Sequence, residues 1–281
     1  MRIGCYGIRC ILINGSGMAE QGLKVVILGA GNVASHLLRA LKGAGHDVTV
    51  WNRSDGALAQ LRKDMGVACT TDMRALPTDA DVYIISVKDD AVESVAQQLA
   101  QTLGPQMGGH CVVAHTAGSL PKSLLEVFFA NCAVLYPMQT FSKNKPLDYS
   151  KIHFFVEEEG DVVSRLALSV SDHVHSLSSE QRKVLHVASV FACNFVNHCY
   201  VMCEDVLRGI GVPFAAMLPL ISETTDKVGM LPPAEAQTGP AVREDYGVMD
   251  AHMRLLAERP DLQEIYRRMS ESIIKYKHDN D

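Results

Sequence analysis

The chain has 281 residues, 47% hydrophobic and 21% charged, with a formal net charge of −6. That length holds one large domain or two ordinary ones, and that balance excludes wholesale disorder. A mildly acidic chain without a cluster of Lys and Arg is not built for nucleic acid or an anionic membrane surface.

Residues 1–22 read as an N-terminal extension. Arg9 interrupts a short apolar stretch, and the apolar core and cleavage site of a secretory signal are missing. Met18, just before the first clear strand, is an alternative start. The eight cysteines form no C-x-x-C pair and no zinc-type doublet. They read as reduced thiols of a cytoplasmic protein, with no metal expected.

From residue 23 to 178, short apolar runs alternate with helical stretches. Strands are expected at 25–28, 47–51, 82–87, 111–114, 133–136 and 153–156. Helices fit between them at 33–44, 57–65, 91–103 and 121–129. Nearly all-apolar strands in βα alternation indicate an α/β fold, a Rossmann-type and mostly parallel sheet covered on both faces.

The character changes after residue 178. Ser178 with Gln181 three residues on matches a capping box. A long helix then runs to about Arg208 and stops at Gly209 and Gly211. Pro213 suits the first turn of the next helix, which ends near Gly229 and carries Pro219 as a potential kink. Further helices are expected at 242–257 and 262–275, so residues 179–281 read as an all-α domain. Within the long helix, residues 184–203 contain no Asp, Glu, Lys or Arg and are long enough to span a bilayer. His186, Asn194, Asn197 and His198 would be costly in lipid, which favours a buried central helix.

The first chemical signal is Gly29-Ala30-Gly31-Asn32-Val33-Ala34, between a strand and a helix. In G-x-G-x-x-A the first glycine permits a tight turn and the second lets backbone approach a pyrophosphate. The small third residue allows close helix–strand packing. The helix N-terminus then offers N–H groups to the phosphates. At the end of the second strand, where NAD sites carry an acid, stand Asn52, Arg53 and Ser54. An Arg and a Ser can hold a 2′-phosphate, so NADP is expected rather than NAD; the alternative is that Arg53 is a solvated loop residue. Ser86-Val87-Lys88 and His115-Thr116-Ala117 end two further strands and should line the cofactor. His115 could instead cap the turn that follows it.

The long helix carries a polar stripe. At 100° per residue, His186 and Asn197 lie within about 20° of one another and Glu204 falls on the same face. Asn194 sits about 80° away. The stripe is either an internal network or a cleft wall. His186 is the acid–base candidate, since histidine titrates near neutral pH. Asn194 and Asn197 could orient a carbonyl or carboxamide. Glu204, about 27 Å along the helix from His186, is structural. Arg243, in Thr238-Gly239-Pro240-Ala241-Val242-Arg243, could hold a carboxylate or simply be exposed at a helix start.

Several segments together resemble a family of bacterial proteins provisionally described as NADP oxidoreductases. These are Gly29 to Ala34, Ser86 to Val92, His115 to Ser119, Tyr136-Pro137-Met138-Gln139-Thr140-Phe141-Ser142, His186 to Asn197, and Gln237 to Arg243. The resemblance covers about residues 23–257. It implies a Rossmann-like domain joined to a helical domain of unassigned function. More distantly the chain is similar to pyrroline-5-carboxylate reductases and β-hydroxyacid dehydrogenases. There a nicotinamide cofactor lies between the sheet and a helical domain that dimerises, which makes a homodimer the expectation here. The dehydrogenases carry a Lys followed four residues later by Asn on the long helix; here Val187 follows Lys183, so that pair is missing. The expected activity is hydride transfer between NADP(H) and a C=O or C=N carbon of a small-molecule substrate. His186 would move the proton, Asn194 and Asn197 would orient, and Arg243 would bind an acidic group. The alternative is a non-catalytic NADP-binding sensor or assembly protein. Hydride exchange with a deazaflavin would require a second large planar site.

Overall fold

Short runs of β-branched and aliphatic residues form the spine of the chain. The computed structural model describes residues 9–10, 22–143 and 145–279; the rest of the N-terminal extension, Met18 included, lies outside the described residues. The first strand is β1 (Arg9–Cys10). Then come β2 (Lys24–Leu28), α1 (Asn32–Gly43), β3 (Asp47–Trp51), α2 (Asp55–Met65), β4 (Ala68–Thr70) and β5 (Val82–Ile85). They are followed by α3 (Val92–Leu103), β6 (Val112–His115), α4 (Ser123–Glu126), β7 (Cys132–Met138), β8 (His153–Glu157), α5 (Val162–Leu168) and β9 (Val174–Ser176). One sheet contains them in the order β1-β9-β8-β7-β6-β5-β2-β3-β4.

From β4 to β7 all neighbours are parallel. The order reverses between β2 and β5: the chain goes outward through β3 and β4, then returns to the other side of β2. A crevice opens at the carboxyl ends of two such strands. β8 runs antiparallel to β7, β9 is parallel to β8, and β1 closes the edge antiparallel to β9. Both faces are buried. Val25 and Ile27 face a core shared with α1, α2 and α5, whereas Val26, Leu28, Tyr83 and Ile85 face a second core with α3. This is the α/β Rossmann-type sheet expected from the alternation, followed by helices.

The differences from expectation are local. β5 ends at Ile85, which leaves Ser86 and Val87 in the crevice. The expected 121–129 helix contracts to the single turn of α4. β4, β9 and α5 were too short to register as periodic segments.

The Ser178 capping box forms as expected, with both reciprocal bonds present, and opens α6 (Ser179–Ser189). Residues Val190–Phe195 are π-helical and lead into α7 (Val196–Arg208). This corrects the face count: 100° per residue holds within α6 and within α7, but not across the wider π turn. It therefore does not put His186, Asn197 and Glu204 on one face. Burial of the helix is corrected too. Ser179–Arg208 is long and apolar enough to cross a membrane, yet none of its apolar window is buried within the chain. Val184, Val187 and Phe191 are exposed.

Two compact units divide between Cys193 and Asn194. The second holds α7, α8 (Leu218–Met230), α9 (Pro233–Ala236), α10 (Tyr246–Leu255) and α11 (Pro260–His278). Pro219 lies in the first turn of α8, where its missing N–H costs nothing, so it starts that helix rather than kinking it. Asp245 caps α10 by accepting from the Val248 N–H. Arg259 pairs with Asp205, and His252 meets the Tyr266 hydroxyl at 2.8 Å.

The first turns of α6 are tied to the sheet by Arg182, which is 1% exposed. Its guanidinium donates to Glu157 Oε2 on β8 at 2.6 Å and to the Leu120 carbonyl after β6. Ser179 Oγ donates to the same carboxylate at 2.7 Å. Together these partners hold the Glu157 carboxyl below its usual range, against the upward push of burial. A buried ion pair is costly to break from one side, because the remaining charge stays desolvated. Glu157→Gln should lower unfolding free energy by about 3 kcal/mol in chemical denaturation. Adding Arg182→Met to that variant should recover part of the loss.

Candidate active site

The glycine turn sits between two strand ends. Gly29 donates its N–H to Trp51 O at 2.7 Å, and Ser86 donates to Leu28 O at 2.8 Å. Gly29 has φ +125°, and a Cβ there would lie 2.2 Å from Ser86 O. Only glycine fits that position. A Cβ on Gly31 would meet nothing within 4 Å. Gly31 is the N-cap of α1; no side chain caps the helix, and no acid stands in its first turn. The exposed positive end of a twelve-residue helix is therefore left to an external anion. Ala30 and Val33 are half-buried, and Ala34 is buried against the sheet. These residues fit a dinucleotide pyrophosphate.

Asn32 is exposed but its amide is directed elsewhere. It donates to Phe141 O at 2.9 Å. His36, one turn on and buried, meets Ser142 O and the Tyr149 hydroxyl, each at 3.0 Å. The loop after β7 is thus pinned beside the N-terminal turns of α1.

At the end of β3, Asn52 donates to Ser54 O at 2.9 Å and shapes the turn. Arg53 and Ser54 are exposed. The nearest acid, Asp55, pairs with Arg62 at 2.8 Å. On the other side of the crevice Ser86 is buried, Val87 half-buried and Lys88 exposed. Thr116 Oγ1 donates to Ser86 Oγ at 3.2 Å and joins the ends of β5 and β6.

His115 is fully buried. Its Nδ1 accepts from the Ala117 N–H at 3.2 Å, so Nε2 carries the proton and donates to Pro121 O at 3.3 Å. Both nitrogens are spent on the backbone, and the residue shapes the turn at Thr116 and Ala117. Burial, and secondarily the Arg182 charge, pull its pKa down to about 4.

That turn leads to the site's main polar contact. The Tyr136 hydroxyl on β7 lies 3.2 Å from His186 Nδ1 on α6, with the rings edge-on at 6.0 Å. Both side chains are half-buried. A Cβ on Gly118 would lie 2.6 Å from His186 Nδ1 and 2.9 Å from Tyr136 Cε2. Burial raises the Tyr136 hydroxyl above its usual value, with Ser189 and Arg182 acting the other way. A phenol and an imidazole at the carboxyl end of a Rossmann sheet can give or take a proton.

Thus the first unit contains the glycine turn, the three strand-end groups and His186. Asn194, Asn197 and Arg243 belong to the second unit; all three are exposed. The sequence assigns no role to Tyr136 or Arg182, and it marks Gly118 only as the last residue of the His115-Thr116-Ala117-Gly118 strand end that should line the cofactor. Tyr136 could have been found by the rule that ligands meet the carboxyl ends of strands, since Tyr136-Pro137-Met138 closes β7. Nothing in the local pattern marks Arg182, an arginine in a first helical turn.

Comparison with known proteins places these features in context. Residues 24–118 match the family described as NADP oxidoreductase, coenzyme F420-dependent. Residues 153–273 match a domain of unknown function, DUF2520. A Bacteroides fragilis protein provisionally described as an NADP oxidoreductase is 38% identical, with a TM-score of 0.84 over 91% of this chain and 99% of its own. An imine reductase from Myxococcus stipitatus in complex with NADP+ shares the fold at 15% identity and TM-score 0.64, over 91% of this chain and 93% of its own. A Pseudomonas aeruginosa pyrroline-5-carboxylate reductase is 29% identical over 108 residues, 37% of this chain and 38% of that protein. The matches span about a third of the length of such curated relatives.

Protonation of His115 provides a test of the turn. In the unfolded chain it takes up a proton near pH 6.5, and in the folded chain only near pH 4. Between those values the unfolded state binds more protons, so stability falls as pH falls, by roughly 3 kcal/mol from this group. His153 and His175 are lowered by burial and by neighbouring histidines and act in the same sense. Denaturant melts from pH 7 to 4 should show that loss, and His115→Gln should flatten the slope.

Proposed function

Because the chain belongs to the family of the Bacteroides fragilis protein provisionally described as an NADP oxidoreductase, with an N-terminal region matching the oxidoreductase family and a following domain of unknown function, we propose that it is an NADP-dependent oxidoreductase acting on a C=O or C=N carbon of a small metabolite. The observation that carries the reading is a single sheet edge. A glycine turn opening on an uncapped helix and a Tyr136–His186 pair both stand at carboxyl ends of the same parallel strands. A bound nicotinamide supplies the hydride; the chain supplies position and the proton. His186 is the acid–base group. It is half-buried beside Tyr136 rather than enclosed in the core, which favours catalysis over a purely sensing role. The imine reductase among the structural relatives supports a carbonyl or imine substrate.

The choice of NADP over NAD rests on Arg53 and Ser54, exposed at the end of β3, with Asp55 turned to Arg62. Fluorescence titration should show NADPH binding more tightly than NADH. Arg53→Ala should weaken NADPH selectively by about 10- to 100-fold, the worth of a charge-assisted bond. Equal affinity for both nucleotides would overturn the preference, and binding of neither would remove the oxidoreductase reading itself.

We also propose a cytoplasmic homodimer. Val184, Val187 and Phe191 leave an apolar surface exposed, and Asn194, Asn197 and His198 make a second copy a better cover than lipid. Light scattering should give twice the chain mass of 30.6 kDa; the single mass would refute the dimer.

A further inference from the structure

We infer that Tyr136 is a positioning residue that fixes the tautomer of His186, so that the imidazole presents its proton on Nε2. The inference deepens the oxidoreductase reading and rests on it for its chemistry, but its geometry belongs to the free protein. A neutral imidazole has one N–H and one lone pair, and the partner of one nitrogen decides which atom carries the hydrogen. The partner of Nδ1 is the Tyr136 hydroxyl at 3.2 Å.

In this arrangement the phenol is the donor and Nδ1 the acceptor. Burial holds its proton in place at neutral pH. Ser189 donates its own hydrogen to Leu185 O at 2.9 Å, so its Oγ is the competing acceptor that the tautomer measurement distinguishes from Nδ1. The phenol itself is held on β7, with its ring 6.4 Å from Phe155 on β8. Gly118 then fixes the approach, since any Cβ there would occupy the space of Nδ1 and the phenol ring edge. The inference places the phenol hydrogen on the Nδ1 lone pair. Nε2 has no hydrogen-bond partner among the described residues, and its N–H is available to a ligand.

The proton balance follows. In the reducing direction the substrate carbon gains a hydride. The Nε2–H bond breaks as the O–H or N–H bond of the product forms. The Tyr136 O–H proton passes to Nδ1 in the same movement, so the imidazole stays neutral. As product leaves, Nε2 takes a proton from water and Nδ1 returns its own to the phenolate, which restores the starting tautomer.

The test is nitrogen-15 NMR of the cofactor-free protein at mildly alkaline pH, with His186 assigned by its loss in His186→Gln. Wild type should carry the His186 proton on Nε2. Tyr136→Phe should relax that preference to the tautomer mixture of free histidine. NADPH affinity in the same variant should stay unchanged. A proton on Nδ1 in wild type overturns the inference, as does a Phe variant with the tautomer unchanged. If Tyr136→Phe fails to fold, the wild-type tautomer ratio is compared with that of free histidine in the same buffer, and a ratio no higher overturns the inference. If the protein binds no nucleotide, the oxidoreductase reading fails while the tautomer result still stands, so the two failures are distinguishable.

Discussion

The ion pair between Arg182 and Glu157 is the constraint on which the rest of the site depends. It joins the first turn of α6 to β8 and, through Leu120 O, to the loop after β6. His186 lies four residues after Arg182, on the same side of the helix, so anchoring the guanidinium aims the imidazole at the sheet. The same positive charge discourages protonation of His115 and thereby keeps the lone pair that receives the Ala117 N–H. One desolvated arginine thus sets the direction of a helix and the shape of a turn. Such pairs are tolerated where geometry matters more than net stability.

The opposite wall depends on α1. Its first turn is left without a capping side chain, while its second turn holds the loop after β7 through His36. Asn32, read from sequence as a phosphate contact, secures that loop by donating to Phe141 O. The two walls are therefore fixed by different chemistry. One relies on a buried charge, the other on neutral side chains that bond to backbone carbonyls.

Much of this was legible in the sequence. The glycine turn announces itself because the strand, turn and helix around it are each strongly patterned. His186 stands out as a titratable residue in an uncharged stretch. What escaped has physical causes. β4 and β9 have only three residues each, too few for a period. Arg182 is buried by partners 25 and 62 residues away, which no local window records. The π-helical turn breaks the wheel on which the polar stripe was drawn, and its residues Val190–Phe195 carry no proline or glycine to mark it.

Gly118 has a consequence for reading related sequences. A glycine at the end of β6 usually passes for a flexible loop position, free to drift. Here the absent methyl is the space that two rings occupy. A relative that keeps the dinucleotide turn but carries alanine or serine at this place must shift its tyrosine or histidine ring to make room. One atom at one position thus separates chains that retain this ring contact as it stands from chains that must rearrange it.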